Sequence, residues 1–165
     1  MGWFPYMQKL EKEKIIIYTD GGARGNPGIA GAGAVIQNAH GQTLKEISEF
    51  LGIRTNNWAE YEAVILGLQA VKKLFGKEKL KNIFVEVRTD SELIARQLSG
   101  KYQIKEETLF SQFIKVWNIK VADIPNITFT HIPREKNQKA DELANKAMDE
   151  GSEKNKVQNT KLDFS

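Results

Sequence analysis

Two segments of this 165-residue chain end alike: the apolar run IIIYTD closes on Asp20 and the run IFVEVRTD closes on Asp90, each followed by a small residue, Gly21 or Ser91. If these runs are neighbouring parallel strands, their C-terminal ends bring both carboxylates to the edge where open α/β sheets hold ligands. Two carboxylates at close range repel, and each raises the other's pKa unless a cation sits between them. Hard divalent ions with oxygen ligands are the usual partners. Glu60 opens an apolar helix and Asp141 falls in the first turn of another, adding two acids with the same prospect. The pattern points to a metal-dependent enzyme.

Hydrophobic periodicity gives the frame. The runs 14–20, 32–38 and 42–51 read as strands, the last two joined by a short turn at Ala39-His40-Gly41. Residues 57–75 switch to a helical stripe of Ala59, Ala63, Val64, Gly67, Ala70, Val71 and Leu74. Segment 82–90 returns to alternation, 91–98 and 106–121 read as helices, 127–132 as a last strand and 137–148 as a last helix. The order βββαβααβα predicts an α/β fold with a five-stranded mixed sheet, three antiparallel strands followed by two parallel ones, flanked by helices. No internal repeat or second domain is visible. Residues 1–13 are expected to form an N-terminal tail, 14–149 one domain, and 150–165 a polar, mobile C-terminal tail without sustained period.

Composition narrows the chemistry. There is no cysteine, which excludes disulfides, a thiolate nucleophile and zinc–thiolate sites. The net charge of +3 is compatible with a polyanionic partner without demanding one. No apolar run approaches the ~20 residues of a membrane span. The start MGWFPYM lacks the basic region and apolar run of a signal peptide, so cytoplasmic residence is expected.

The glycine-rich stretch GGARGNPGIAGAG contains neither a phosphate-loop nor a dinucleotide-binding signature, and a strand-like AVIQ follows it where such loops need a helix. Its glycines serve either tight turns or close approach to a ligand backbone. Glu60 lies in line with Ala63, Val64, Gly67 and Val71, hence toward the protein body. The bland alternative, an acid complementing the helix dipole, would favour the solvent face, where Glu62 is the better candidate. Asp141, beside Ala140 and Ala144, invites the same two readings. His131 ends the last strand ten residues before Asp141. It is either a capping residue or a mobile imidazole able to move protons at the mouth of the site.

Four blocks, IYTDGGARGNPGIAGAGAVI, TNNWAEYEAVILGL, VRTDSELIARQL and THIPREKNQKADELAN, occur in an order and spacing that closely resemble type 1 ribonuclease H. The resemblance implies the ribonuclease H fold and an endonuclease that cuts the RNA strand of RNA–DNA hybrids with two Mg²⁺ ions, Mn²⁺ substituting, leaving 5′-phosphate and 3′-hydroxyl ends. It implies metal ligation by Asp20, Glu60, Asp90 and Asp141, and the family's flexible-loop histidine at His131. Minor-groove contacts fall on Asn26, Asn56 and Asn57, a DNA-phosphate contact falls on Thr55, and Gly25 joins the substrate-binding residues. In such chemistry paired ions clamp the attacking and leaving oxygens of an in-line displacement. RNA is told from DNA through the 2′-OH in a shallow minor groove. A monomer is expected.

The chain departs from the best-known bacterial members between Ser91 and Trp117. Their Trp- and Lys-rich protrusion is replaced by GKYQIKEETL, which resembles the compact form found in archaea and in plant-like members. Lys101, Tyr102 and Lys105 are the candidates for gripping the DNA strand there; the alternative is a solvated loop with Tyr102 in the core. HIPRE follows the same branch, with Arg134 sharing the role of the bacterial loop. The reduced grip leaves cleavage of double-stranded RNA open as an added activity.

Overall fold

The computed structural model describes residues 13–163. The segment 1–12, most of the expected N-terminal tail, lies outside the described residues. Strands β1 (Glu13–Gly25), β2 (Gly28–Asn38) and β3 (Thr43–Arg54) form an antiparallel meander. Helix α1 (Asn56–Leu74) and a single turn of helix, α2 (Lys77–Leu80), lead to β4 (Ile83–Thr89). Helices α3 (Glu92–Leu98) and α4 (Phe110–Ala122) precede β5 (Ile127–His131), and α5 (Gln138–Asp163) closes the chain. The strand order is β3-β2-β1-β4-β5, with β4 parallel to both β1 and β5. This is the mixed sheet expected from the element order.

Alternation along β1 and β4 buries Ile15, Ile17, Val85 and Val87 on one face, against Val64, Leu68 and Val71 of α1. Val116 and Ile119 of α4 join the same core. The opposite face of β2 receives α5, and the contact is close because Gly33 carries no side chain. A methyl group there would overlap the main-chain carbonyl of Ala140. The glycine-rich stretch is therefore mostly strand, not loop. Its turn is confined to Asn26-Pro27, where the peptide is cis, and Gly33 serves neither a turn nor a ligand but helix-on-sheet packing.

Two boundaries differ from expectation. The polar stretch read as a tail continues α5 to Asp163. Gly151 of that helix is buried against the ring of Phe50. Beyond it, each added residue extends an existing helix without a new nucleation cost, so no apolar stripe is needed to announce it. The short helix α2 falls between the runs 57–75 and 82–90, where four residues are too few to show a period.

Candidate active site

Asp20 is not the last residue of its strand. β1 runs five residues further because Gly21–Gly25 pair with Gly28–Ala32 of β2. What ends at this level is the parallel pairing with β4, whose last partners are Thr19 and Thr89. Asp20 and Asp90 therefore leave the same rung of the sheet side by side, as the repeated Thr-Asp pair implies.

Glu60 joins them from above. Thr55 caps α1 by accepting the Trp58 N–H at 3.3 Å, so Glu60 is the fifth helical residue rather than a first-turn acid. Gly21 permits the approach, since a side chain there would overlap the Ala59 carbonyl. Carboxylate oxygens of Asp20, Glu60 and Asp90 lie within 4.8 Å of one another. Asp141, in the first turn of α5, is the fourth acid and lies close enough to add to the rise in the Asp20 pKa.

The electrostatics follow from this crowding. Burial first, then the charge of Asp90, then Asp141 and Glu60, push the Asp20 carboxyl up to about 8. Burial raises Glu60 to about 7, opposed by a hydrogen bond from Ser91 and by the charge of Arg134, with Asp90 adding to the rise. Ser91 also caps α3 by accepting the Ile94 N–H at 3.3 Å. Its sequence mark was only that it is small and follows Asp90; a serine opening a helix is a recognisable cap. A half-buried cluster of acids, with Asp20 and Glu60 raised chiefly by burial, is a donor set suited to a hard divalent cation.

The remaining candidates surround the acids. His131 is the last residue of β5, exposed, and paired in register with Thr89, the neighbour of Asp90. Arg134 begins a 3₁₀ turn, Arg134–Lys136, between β5 and α5. Asn26 and Asn56 stitch the β1–β2 hairpin to α1. The Asn56 N–H donates to Asn26 Oδ1 at 3.1 Å, and Asn56 Oδ1 accepts the Ala23 N–H at 2.6 Å. Gly25, at φ 100°, forms the corner of that hairpin. Asn57 donates through Nδ2 to Glu106 Oε1 at 2.7 Å.

Lys101, Tyr102 and Lys105 line a separate groove of about 480 Å³ with Leu93, Gln97, Gln103 and Glu106. Tyr102 is 46% exposed, with the Arg96 guanidinium 5.4 Å above its ring, so it is not a core residue. The groove adjoins the site through Glu106 and Asn57 and does not contain the acids.

A mixed sheet in this strand order, with acids gathered where β1 and β4 part, defines a protein of the ribonuclease H-like class. Residues 18–147 match a family described as reverse transcriptase-like. LC11-RNase H1, isolated from compost by a metagenomic approach, is 55% identical with a TM-score of 0.79; the match covers 83% of this chain and 96% of that one. A second structure of LC11-RNase H1, in complex with an RNA/DNA hybrid, matches with the same identity and TM-score over 82% of this chain and 97% of that one. RNase H1 of the halophilic archaeon Halobacterium salinarum is 33% identical with a TM-score of 0.75, over 83% of this chain and 98% of that one. A bifunctional protein of Mycobacterium tuberculosis is 39% identical over 137 residues, covering 82% of this chain; the chain spans 36% of that relative's length. The chain belongs to the type 1 ribonuclease H family. No helix among the described residues is long and apolar enough to cross a membrane.

Proposed function

We propose that this chain hydrolyses the RNA strand of RNA–DNA hybrids, with Asp20, Glu60, Asp90 and Asp141 holding divalent metal, two Mg²⁺ ions or Mn²⁺ in their place. The observation that carries the reading is the convergence of three carboxylates within 4.8 Å, with Asp141 adding to the rise in the Asp20 pKa, in a chain of the type 1 ribonuclease H family. The hybrid-bound structure of LC11-RNase H1 supports the choice of substrate. Bound Mg²⁺ supplies charge neutralisation at the scissile phosphate and an acidified water, the source of 5′-phosphate and 3′-hydroxyl ends.

The chain's own residues do the rest. Asp20 and Glu60 give up their protons to become ligands, and their raised pKa makes this step pH-dependent. Arg134 favours the charged form of Glu60. His131, exposed on the rim beside Asp90, is free to move protons between the site and solvent. Asn26 and Asn56 have committed their carbonyl oxygens to the scaffold, so each has its NH₂ to offer to 2′-oxygens and base acceptors in a minor groove. Gly25 sets the hairpin corner that carries Asn26, Thr55 sets the start of α1 beside a DNA phosphate, and Asn57 reaches the same groove edge. Lys101 and Lys105 meet phosphates of the DNA strand, and Tyr102 packs against a sugar or base.

The test is a labelled hybrid, a matched RNA duplex and a DNA duplex, each with Mg²⁺ and with chelator. Metal-dependent cleavage of the RNA in the hybrid, with the DNA duplex intact, is expected. Cleavage that survives chelator, or an intact hybrid at all Mg²⁺ concentrations, overturns the reading. The RNA duplex reports whether double-stranded RNA is also a substrate.

A further inference from the structure

Asn137 lies between the 3₁₀ turn and α5 and is 1% exposed. It reaches two of the acids through their backbones. Its Nδ2 donates at 2.9 Å to the main-chain carbonyl of Thr19, the residue before Asp20. Its own main-chain carbonyl accepts the N–H of Asp141 at 3.1 Å. The peptide that carries Asp20 and the helical turn that carries Asp141 are thus both bonded to one enclosed side chain and its backbone.

Its Oδ1 is buried without a hydrogen-bond partner. A buried carbonyl left so is destabilising, and native folds keep few of them. The carboxamide is therefore poorly explained as a stability device alone. What it does supply is restraint at a place where restraint is needed. Charged Asp20 and Asp141 repel and tend to separate the elements that bear them. Close packing of Gly33 on Ala140 and Leu143, and of Gly151 on Phe50, holds α5 against β2 and β3. Asn137 adds a hydrogen-bonded tie between the first turn of α5 and β1.

We propose that Asn137 is a positioning residue, setting the first turn of α5 against β1 and so fixing the separation of the Asp141 and Asp20 carboxyl groups needed for metal binding. This rests on the reading of the four acids as a divalent-metal site. Outer-shell partners of metal ligands lower metal affinity or activity by about 10–100-fold when removed, and Asn137 acts one bond further back, through the backbone.

The experiment is calorimetric titration of the substrate-free protein with Mn²⁺, for the parent, Asn137→Ala and Asn137→Ser, with steady-state kinetics on a hybrid in Mg²⁺. Val116→Ala, in the α4 core away from the acids, controls for loss of stability. Both Asn137 variants should bind Mn²⁺ about tenfold more weakly and lose about tenfold in kcat, partly recovered by raising Mg²⁺. KM for the hybrid should stay within about twofold, because α1 and the hairpin are untouched. Val116→Ala should melt lower yet bind Mn²⁺ like the parent. Asn137→Ser carries the test if Asn137→Ala does not fold. Variants that melt lower but bind Mn²⁺ and turn over like the parent make Asn137 a plain structural tether and overturn the proposal. A parent that takes up no Mn²⁺ overturns the metal-site reading itself, and the proposal with it.

Discussion

Asn57 and Glu106 are joined by a 2.7 Å hydrogen bond that fastens the segment after α3 to the start of α1. Glu106 shares its groove with Lys101 and Lys105, so this bond sets a carboxylate among the lysines proposed to meet phosphates. A charge about 4 Å from a phosphate in water opposes it by about 1 kcal/mol, near fivefold in affinity. Glu106→Gln keeps an acceptor for Asn57 and removes the repulsion. KM for the hybrid should fall about two- to fivefold with kcat unchanged. A raised KM in steady-state assays would show that the groove needs the carboxylate and does not receive the backbone.

The lysines give the converse result. Changing Lys101 and Lys105 together to Ala should raise KM and leave kcat nearly intact, because phosphate contacts act before and during the chemistry alike. Each lost contact should also make the log K against log salt slope shallower by about 0.7–0.9. Binding of the hybrid to the Asp20→Asn protein in Ca²⁺, between about 50 and 200 mM salt, supplies that slope. A parental slope and KM in the double variant would exclude the groove as the grip on the substrate.

Asp20 and Glu60 predict how the metal-free protein responds to pH. The Asp20 carboxyl titrates near 8 in the fold against an ordinary 3.8, and Glu60 near 7 against 4.5. Across that window the folded state keeps protons that the unfolded chain has released. Stability therefore falls as pH rises from about 4 to about 8, then levels off. Metal binds the deprotonated acids, so stabilisation by Mg²⁺ should grow over the same window. Asp20→Asn removes one of the repelling charges: at pH 8 without metal it should melt about 2–4 °C higher for each kcal/mol gained, while cleavage is abolished. Melting curves from pH 5 to 8.5 that are flat for the parent, with no gain in the variant, would mean that the acids do not crowd as charges.

The repeated Thr-Asp pair carried most of what was legible beforehand. It paired β1 with β4, placed Asp20 beside Asp90, and the apolar stripe of 57–75 turned Glu60 toward them. What escaped notice depends on partners remote in sequence. Gly33 reads as a turn residue until Ala140 is known to cross it, and Asn137 reads as the polar residue opening the last helix until its amide is seen on the Thr19 carbonyl. The continuation of α5 past Gly151 has no apolar period to reveal it, because most of its side chains face solvent. The shift of Glu60 into the second turn is a one-residue matter of where Thr55 caps the helix.

His131 offers the sharpest division between chemistry and scaffold. It stands at the exposed end of β5, in register with Thr89, and the adjoining Ile132 N–H donates to the Thr89 carbonyl at 2.9 Å. That backbone bond holds the strand end whatever the side chain is, so His131→Ala should fold and bind like the parent. If the imidazole moves protons, kcat should fall about 10²-fold with little change in KM, at the low end of general acid–base contributions. A pH–rate profile between about pH 6 and pH 9 is the measurement. An unchanged kcat across that range would leave His131 as a rim residue, and Arg134, whose charge already acts on Glu60, would be the next side chain to replace.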